Sequence, residues 1–314
     1  MSEYGLYLVF LIAVTAVVKG ADWFVESALW VVRRTGISEV AIGATLVALA
    51  TTLPETAVSA YASWSGHPEL AAGNAIGSCT VNFGLILGLG VLVSGFVHAP
   101  RGFSWGALGV TGLVALVGAL SRDGSLGRSD GLMLLALGCV AMWLAVRGSG
   151  EGAAARRGAT GQADDDGTAA RHLVKFVFGT LLIAIGSRFL VSTGSELAIR
   201  LGLSETAVGL TLIALGTSLP ELATAITAGV KGHAQLALGN LVGANALNLT
   251  LVLGVAGVLR PVPVAATVRG FDLPIVALLM GLAALFAAAR RGVGRAEGGT
   301  LFALYVIYVF LLVG

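Results

Sequence analysis

Apolar residues run along this chain in ten stretches, about 4–26, 38–63, 69–96, 103–121, 130–147, 173–198, 205–229, 234–259, 272–290 and 299–313, with polar residues gathered in the breaks between them. Most are close to the roughly 20 residues that carry a helix across a bilayer. They are rich in Leu, Val, Ala and Gly and too long for barrel strands, so the pattern predicts an all-α membrane protein of ten transmembrane helices. The longest polar interval, 148–171, consists mainly of Gly, Ala and charged residues and reads as a flexible cytoplasmic linker. It separates a first five-helix repeat (1–147) from a second (172–314). Because five is odd, the second half enters the membrane in the opposite sense, and the two repeats are inverted.

The pattern is also repeated residue by residue. GATLVALATTLPETA (43–57) returns 166 positions later as GLTLIALGTSLPELA (209–223), and from Gly36 to Gly90 against Gly202 to Ala256, 26 of 55 positions are identical. Each repeat places one glutamate, Glu55 or Glu221, directly after Leu-Pro inside an apolar run. A carboxylate is expensive there, and an acid within a membrane span is by default a functional residue. Two at matching positions point to one site built from a duplicated half.

Composition supports a membrane protein. Of 314 residues 56% are hydrophobic and 11% charged, with mean hydropathy +0.91, against about 25% charged in soluble proteins. No basic residue precedes the first apolar run, so 4–26 reads as a retained helix rather than a cleaved signal. With the N-terminus outside, the inner loops and helix ends hold 13 Lys and Arg and the outer ones 6. The expectation is a multi-pass protein of the cytoplasmic membrane with both termini outside. This bias accounts for the net charge of +2. There is no basic patch on a soluble domain, so nucleic acid is not an expected partner. Cys79 and Cys139 lie in apolar spans and read as small apolar residues. Asp164, Asp165 and Asp166 read as a solvated part of the linker. His67 and His233, each after a glycine, read as surface turn residues, and Asp22, Glu26 and Arg188 as paired or interfacial groups near helix ends.

Around each glutamate the residues are oxygen donors. Pro54 and Pro220 lack an N–H, which frees the carbonyls of Ala50 and Gly216, loosens Thr51 and Thr217, and predicts a break in each helix. Hydroxyls flank each break: Thr51 and Thr52, Thr217 and Ser218. GNAIGSCTVN then gives Asn74, Ser78 and Asn82, and GNLVGANALN gives Asn240, Ala244 and Asn248, each at a spacing of four on one helix face. Carboxylates, carbonyls, hydroxyls and amide oxygens together form a set for hard cations. Two carboxylates carry −2, matched by one divalent ion, two monovalent ions or two protons. An empty, doubly ionised pair costs several kcal/mol, so the carrier crosses poorly unloaded, which is the physical root of exchange.

LATTLPETA with GNAIGSCTVN, and LGTSLPELA with GNLVGANALN, resemble the two alpha repeats of the cation/calcium exchanger superfamily, in particular its prokaryotic sodium/calcium exchanger-like branch. The resemblance implies helices 2, 3, 7 and 8 around a central site, with long, tilted helices 1 and 6 sliding across it. It implies Glu55 and Glu221 as shared calcium and sodium ligands, and Thr51 and Thr217 as carbonyl donors to calcium. Ala48, Thr52, Ser78, Ala214 and Ser218 then supply oxygens to sodium, with Asn82 near the centre. The chain departs from sodium exchangers at Ala244, where a serine is common, and at Asn248, where an acid is common and which still offers an amide oxygen.

The sequence thus reads as an antiporter exchanging calcium for sodium by alternating access, with the ions and the lipid bilayer as its partners and no cofactor. Proton/calcium exchange is the alternative, and a cation channel a reading from another class. An intramembrane hydrolase is disfavoured, since no Ser-His or paired-Asp arrangement is present.

Overall fold

The computed structural model describes residues 3–147, 168–200 and 216–313. Among them are nine helices long and apolar enough to cross a membrane, and the shorter apolar helix Leu219–Val230. In chain order they are α1 (Glu3–Thr35), α2 (Glu39–Trp64), α3 (Glu69–Ser94), α4 (Arg101–Leu120), α5 (Arg128–Arg147), α6 (Ala169–Arg200), α7 (Leu219–Val230), α8 (Ala234–Leu259), α9 (Val268–Arg290) and α10 (Arg295–Val313). Most of the linker, with its three aspartates, lies outside the described residues, as do the first part of the seventh apolar run and Ala214.

Inside hydrocarbon a helix satisfies its own backbone, and burial then sorts the helices. α8 is the most enclosed, with 78% of its apolar window buried, against 17% for α5 and α10, which face outward. Glycines bring the central helices into backbone contact. A Cβ on Gly43 of α2 would fall 2.8 Å from the Asn240 nitrogen of α8, and Cβ atoms on Gly239 and Gly243 would run into the carbonyls of Val40 and Ala44. Such small-residue seams substitute for the hydrophobic drive that lipid removes. Farther out, α4 packs on α9, α5 on α8 and α3 on α10.

α1 and α6, of 33 and 32 residues, pack chiefly on each other. Gly20 and Gly179 touch backbone to backbone: a Cβ on Gly179 would stand 2.8 Å from the Gly20 carbonyl oxygen. Phe24 stacks on Phe176 at 4.7 Å, and Lys175 binds Glu26 at 2.6 Å. Asp22 of α1 reaches outside the pair, to Lys231 after α7, at 2.6 Å.

Two features depart from the regular pattern. First, α2 is not broken at Pro54. Its α-helical part runs on from Ala48 to Trp64, and the irregularity lies earlier, in a π-helical stretch at Gly43–Val47. In the second repeat the interruption is real: Thr217 and Ser218 form a turn, and Pro220 sits in the first turn of α7, where its missing N–H costs nothing. Second, wide π turns at Val81–Leu87 and Asn248–Val252 interrupt α3 and α8. Such turns often occur at functional sites.

Short β-ribbons join loops of the two halves, an addition to the all-helical expectation. β1 (Val97–His98) pairs antiparallel with β4 (Gly292–Val293), and β2 (Ser125–Leu126) with β3 (Val262–Pro263). Arg269 of α9 donates to the carbonyls of Ser121 and Arg122 at 3.0 and 2.7 Å, beside the second ribbon. Paired strands share a membrane face, so an even number of crossings separates them. That parity holds only if α7 crosses, although its described part has 12 residues.

Candidate cation site

Glu55 lies one residue beyond Pro54 on α2, and Glu221 in the first turn of α7. Each is 1% exposed, and the two are close enough for their charges to interact. No Lys or Arg is buried among the described residues. None of the four carboxyl oxygens has a hydrogen-bond partner. One bland alternative for two membrane acids, structural pairing with a buried arginine, is therefore not what the described residues contain.

Oxygen and amide groups surround the pair. Thr51 stands beside Glu221, and its hydroxyl is shared between the Ala48 carbonyl and Asn240 Oδ1, both at 3.3 Å. Ser78 and Thr217 meet across the halves at 3.5 Å. The Thr52 and Ser218 hydroxyls, Asn82 Oδ1 and both amide atoms of Asn248 are buried without a partner. Each such atom costs about 1–3 kcal/mol if left unsatisfied, and folded proteins bury few. Among the described residues no three His, Cys, Asp or Glu come together. The anionic part of the site is two carboxylates, and the remaining donors are neutral. That is chemistry for a hard, oxygen-seeking cation.

Ten of the eleven residues expected from the sequence lie in described segments, and Ala214 lies outside them. Ala48 is fully buried against Ala244, with its carbonyl turned to the Thr51 hydroxyl. Thr51, Thr52, Ser78, Asn82, Ser218 and Asn248 are buried, and Thr217 is half-buried. The asparagine rows behave unequally. Asn74 Nδ2 donates to the Glu55 carbonyl at 3.3 Å and to Ser59 at 2.9 Å, holding α3 to α2 beside the carboxylate. Its equivalent, Asn240, meets Thr51 of the other half instead. Sequence reasoning passed over Asn245. It is fully buried, and its Oδ1 accepts from Asn82 Nδ2 at 2.9 Å. With its N–H committed, Asn82 keeps Oδ1 as its free atom. The available signal was a mismatch: an amide stands where the first repeat has Cys79, whose sulfur now faces the Asn245 carbonyl at 3.8 Å.

Asp22, Glu26 and Arg188, expected near helix ends, lie well inside α1 and α6 instead, with Arg188 exposed. Asp22 and Glu26 are paired with lysines, His67 is exposed beside Glu69 at 3.5 Å, and His233 Nδ1 meets Glu39 at 2.8 Å.

The family described as sodium/calcium exchanger protein matches residues 5–147 and 171–314. Among curated relatives, the sodium/calcium exchanger MaX1 of Methanosarcina acetivorans is 29% identical over 98% of both chains. The inner membrane protein YrbG of Escherichia coli is 34% identical over 95% of both. An uncharacterized membrane protein of Methanocaldococcus jannaschii, MJ0091, is 31% identical over 96% of this chain and 95% of its own. Among solved structures, the sodium-calcium exchanger NCX_Mj soaked with zero Na+ and Ca2+ superposes with a TM-score of 0.84 at 29% identity, covering 98% of both chains.

Proposed function

The chain belongs to the sodium/calcium exchanger family, and from that premise we propose that it is an antiporter exchanging calcium for sodium across the membrane by alternating access. The observation that carries this reading is the buried pair Glu55 and Glu221, without a buried Lys or Arg among the described residues and ringed by unpartnered oxygens. One calcium ion matches the charge of the pair. Monovalent ions compete for the same oxygens, so both cannot be held fully at once. Occupancy by one species excludes the other, and an empty pair is costly. The ligand set is Glu55, Glu221, Thr51, Thr52, Thr217, Ser218, Ser78, Asn82, Asn248 and the carbonyls of Ala48 and Ala214.

The arrangement is two inverted five-helix repeats, 1–147 and 172–314, joined by the cytoplasmic linker 148–171. The crossing parity set by the ribbons supports this, as do the reciprocal pairing of equivalent loops and the match of the family in two stretches. α1 and α6, packed on each other more than on the rest, are the unit that moves and exposes the site to one side at a time. Both termini face outward in the cytoplasmic membrane.

One observation favours proton coupling as the second reading. Ser78 turns a hydroxyl toward Thr217, whereas its equivalent Ala244 is a methyl packed on Ala48. The second half thus lacks an oxygen that the first supplies. Calcium uptake into vesicles, with sodium, potassium and proton gradients imposed separately, decides between them. Uptake driven by the sodium gradient is expected. Uptake driven by protons alone selects the second reading, and flux without any counter-ion gradient makes the protein a channel.

Asn245→Ala frees Asn82 from its orienting bond. A lost hydrogen bond of about 1 kcal/mol weakens calcium binding roughly five-fold, read by calorimetric titration, while Asn245→Ala combined with Asn82→Ala is less than additive. Unchanged affinity removes Asn245 from any part in orienting Asn82.

A further inference from the structure

A groove of about 770 Å³ lies between the first turns of α4 and the end of α9, beside the β1–β4 ribbon, with Ser104, Trp105, Leu108, Ala287, Ala288 and Arg291 in its lining. Its walls combine two chemistries. Trp105 and Leu108 are 73% and 49% exposed, and the two alanines leave the space that larger side chains would fill. Arg291 brings a positive charge. It is the one non-glycine residue with positive φ among the described residues, at 55°. Glycine adopts that left-handed backbone at less cost, so arginine stands here against a local penalty. The Arg291 carbonyl accepts the Ala99 N–H at 3.0 Å, which pins this turn beside the groove.

The charge is not satisfied within the turn. The nearby Glu297 carboxylate is taken by Arg290 at 2.9 Å and by the Gly294 N–H at 3.1 Å. Arg291 forms no ion pair among the described residues. An unpaired guanidinium at the end of a membrane helix, with a tryptophan one turn into the membrane and an apolar groove beneath, matches a molecule carrying phosphate and hydrocarbon together. Guanidinium binds phosphate through parallel N–H donors, and basic pockets between transmembrane helices take anionic lipid headgroups.

We propose that this groove holds one anionic phospholipid, with its phosphate at Arg291 and an acyl chain along Trp105 and Leu108. The inference is independent of which ions the protein exchanges.

The test uses the full-length protein in detergent with phosphatidylglycerol or phosphatidylcholine added, and reads bound lipid by native mass spectrometry and stability by thermal unfolding. The wild type is expected to bind phosphatidylglycerol about five-fold more tightly, the scale of one arginine near a membrane surface. Arg291→Gly loses that preference. Because glycine suits the backbone at this position, the lipid-free variant melts no lower than the wild type, which separates lost binding from misfolding. Ala288→Phe keeps the charge, fills the groove and also loses the preference. Glycerophosphoglycerol, the headgroup without chains, protects neither variant nor wild type. A wild type that does not distinguish the two lipids, or an Arg291→Gly variant that still does, overturns the proposal. Protection of the wild type by the headgroup alone overturns it in favour of a simple anion site.

Discussion

Glu55→Gln ends sodium-driven calcium uptake, and Glu221→Gln does the same. Each change leaves one charge facing a divalent ion. Removing one member of a buried, mutually dependent charge set costs about 3–5 kcal/mol, so calcium occupancy falls at least about 100-fold. The two residues are equally buried, and neither can cover for the other. Loss of function here is not loss of fold. In calcium-free buffer the wild-type pair has no buried cation beside it among the described residues, and the repulsion of two ionised carboxylates there costs several kcal/mol. A glutamine removes that repulsion, so either variant melts at or above the wild-type temperature without calcium and gains less stability than the wild type when calcium is added. Vesicle flux and calcium-dependent thermal unfolding together check this. A variant that still transports takes its glutamate out of the site.

The second large effect falls on the seam between α2 and α8. In Gly239→Ala the new methyl meets the Val40 carbonyl, and in Gly243→Ala it meets that of Ala44. Both obstacles are backbone, with no flexible side chain to give way. Each substitution costs about 1–3 kcal/mol as overpacking. The two strike one seam, so together they drive α2 and α8 apart. α2 carries Glu55, and α8 carries Asn240, Asn245 and Asn248. The double variant is expected to lose its monodisperse folded peak after mild heating in fluorescence-detected size-exclusion. Gly112→Ala on α4, where no described atom lies within 4 Å of the new Cβ, melts like the wild type. A double variant with wild-type melting would mean that the seam is looser than its backbone contacts imply.

Apolar run length made the spans legible, because the thickness of hydrocarbon imposes it. The same measure misjudged α1 and α6. Arg33, Arg34 and Ala169–Arg171 continue these helices past the apolar core, where counting apolar residues stops. The carboxylates and their hydroxyl neighbours were legible because a charge is costly in a span, so each copy stood out. The π turns at Val81–Leu87 and Asn248–Val252 were not, since no residue type encodes one extra residue per turn. Pro54 suggested a break because proline removes one helix bond, yet the bonds on either side of it keep the helix whole. The roles of Asn240 and Asn245 escaped because repeat reasoning looks for identities. Ser59, which anchors Asn74, corresponds to Ala225, so Asn240 turns to Thr51 instead. Asn245 reaches Asn82 from a position where the other half has Cys79. These two contacts between the halves depend on positions at which the repeats differ.

The ribbons tie this molecule to the order in which it is made. Val97–His98 and Ser125–Leu126 leave the ribosome long before Gly292–Val293 and Val262–Pro263, and most of the chain is synthesised between the first pair. Until then the early half, already able to insert its helices, displays short unpaired strand edges at both surfaces of the bilayer. Open edges are templates for wrong partners, and keeping each to two residues limits that exposure. Closure of the ribbons therefore waits for the late loops: the turn between α8 and α9 completes one, and the turn before α10 the other.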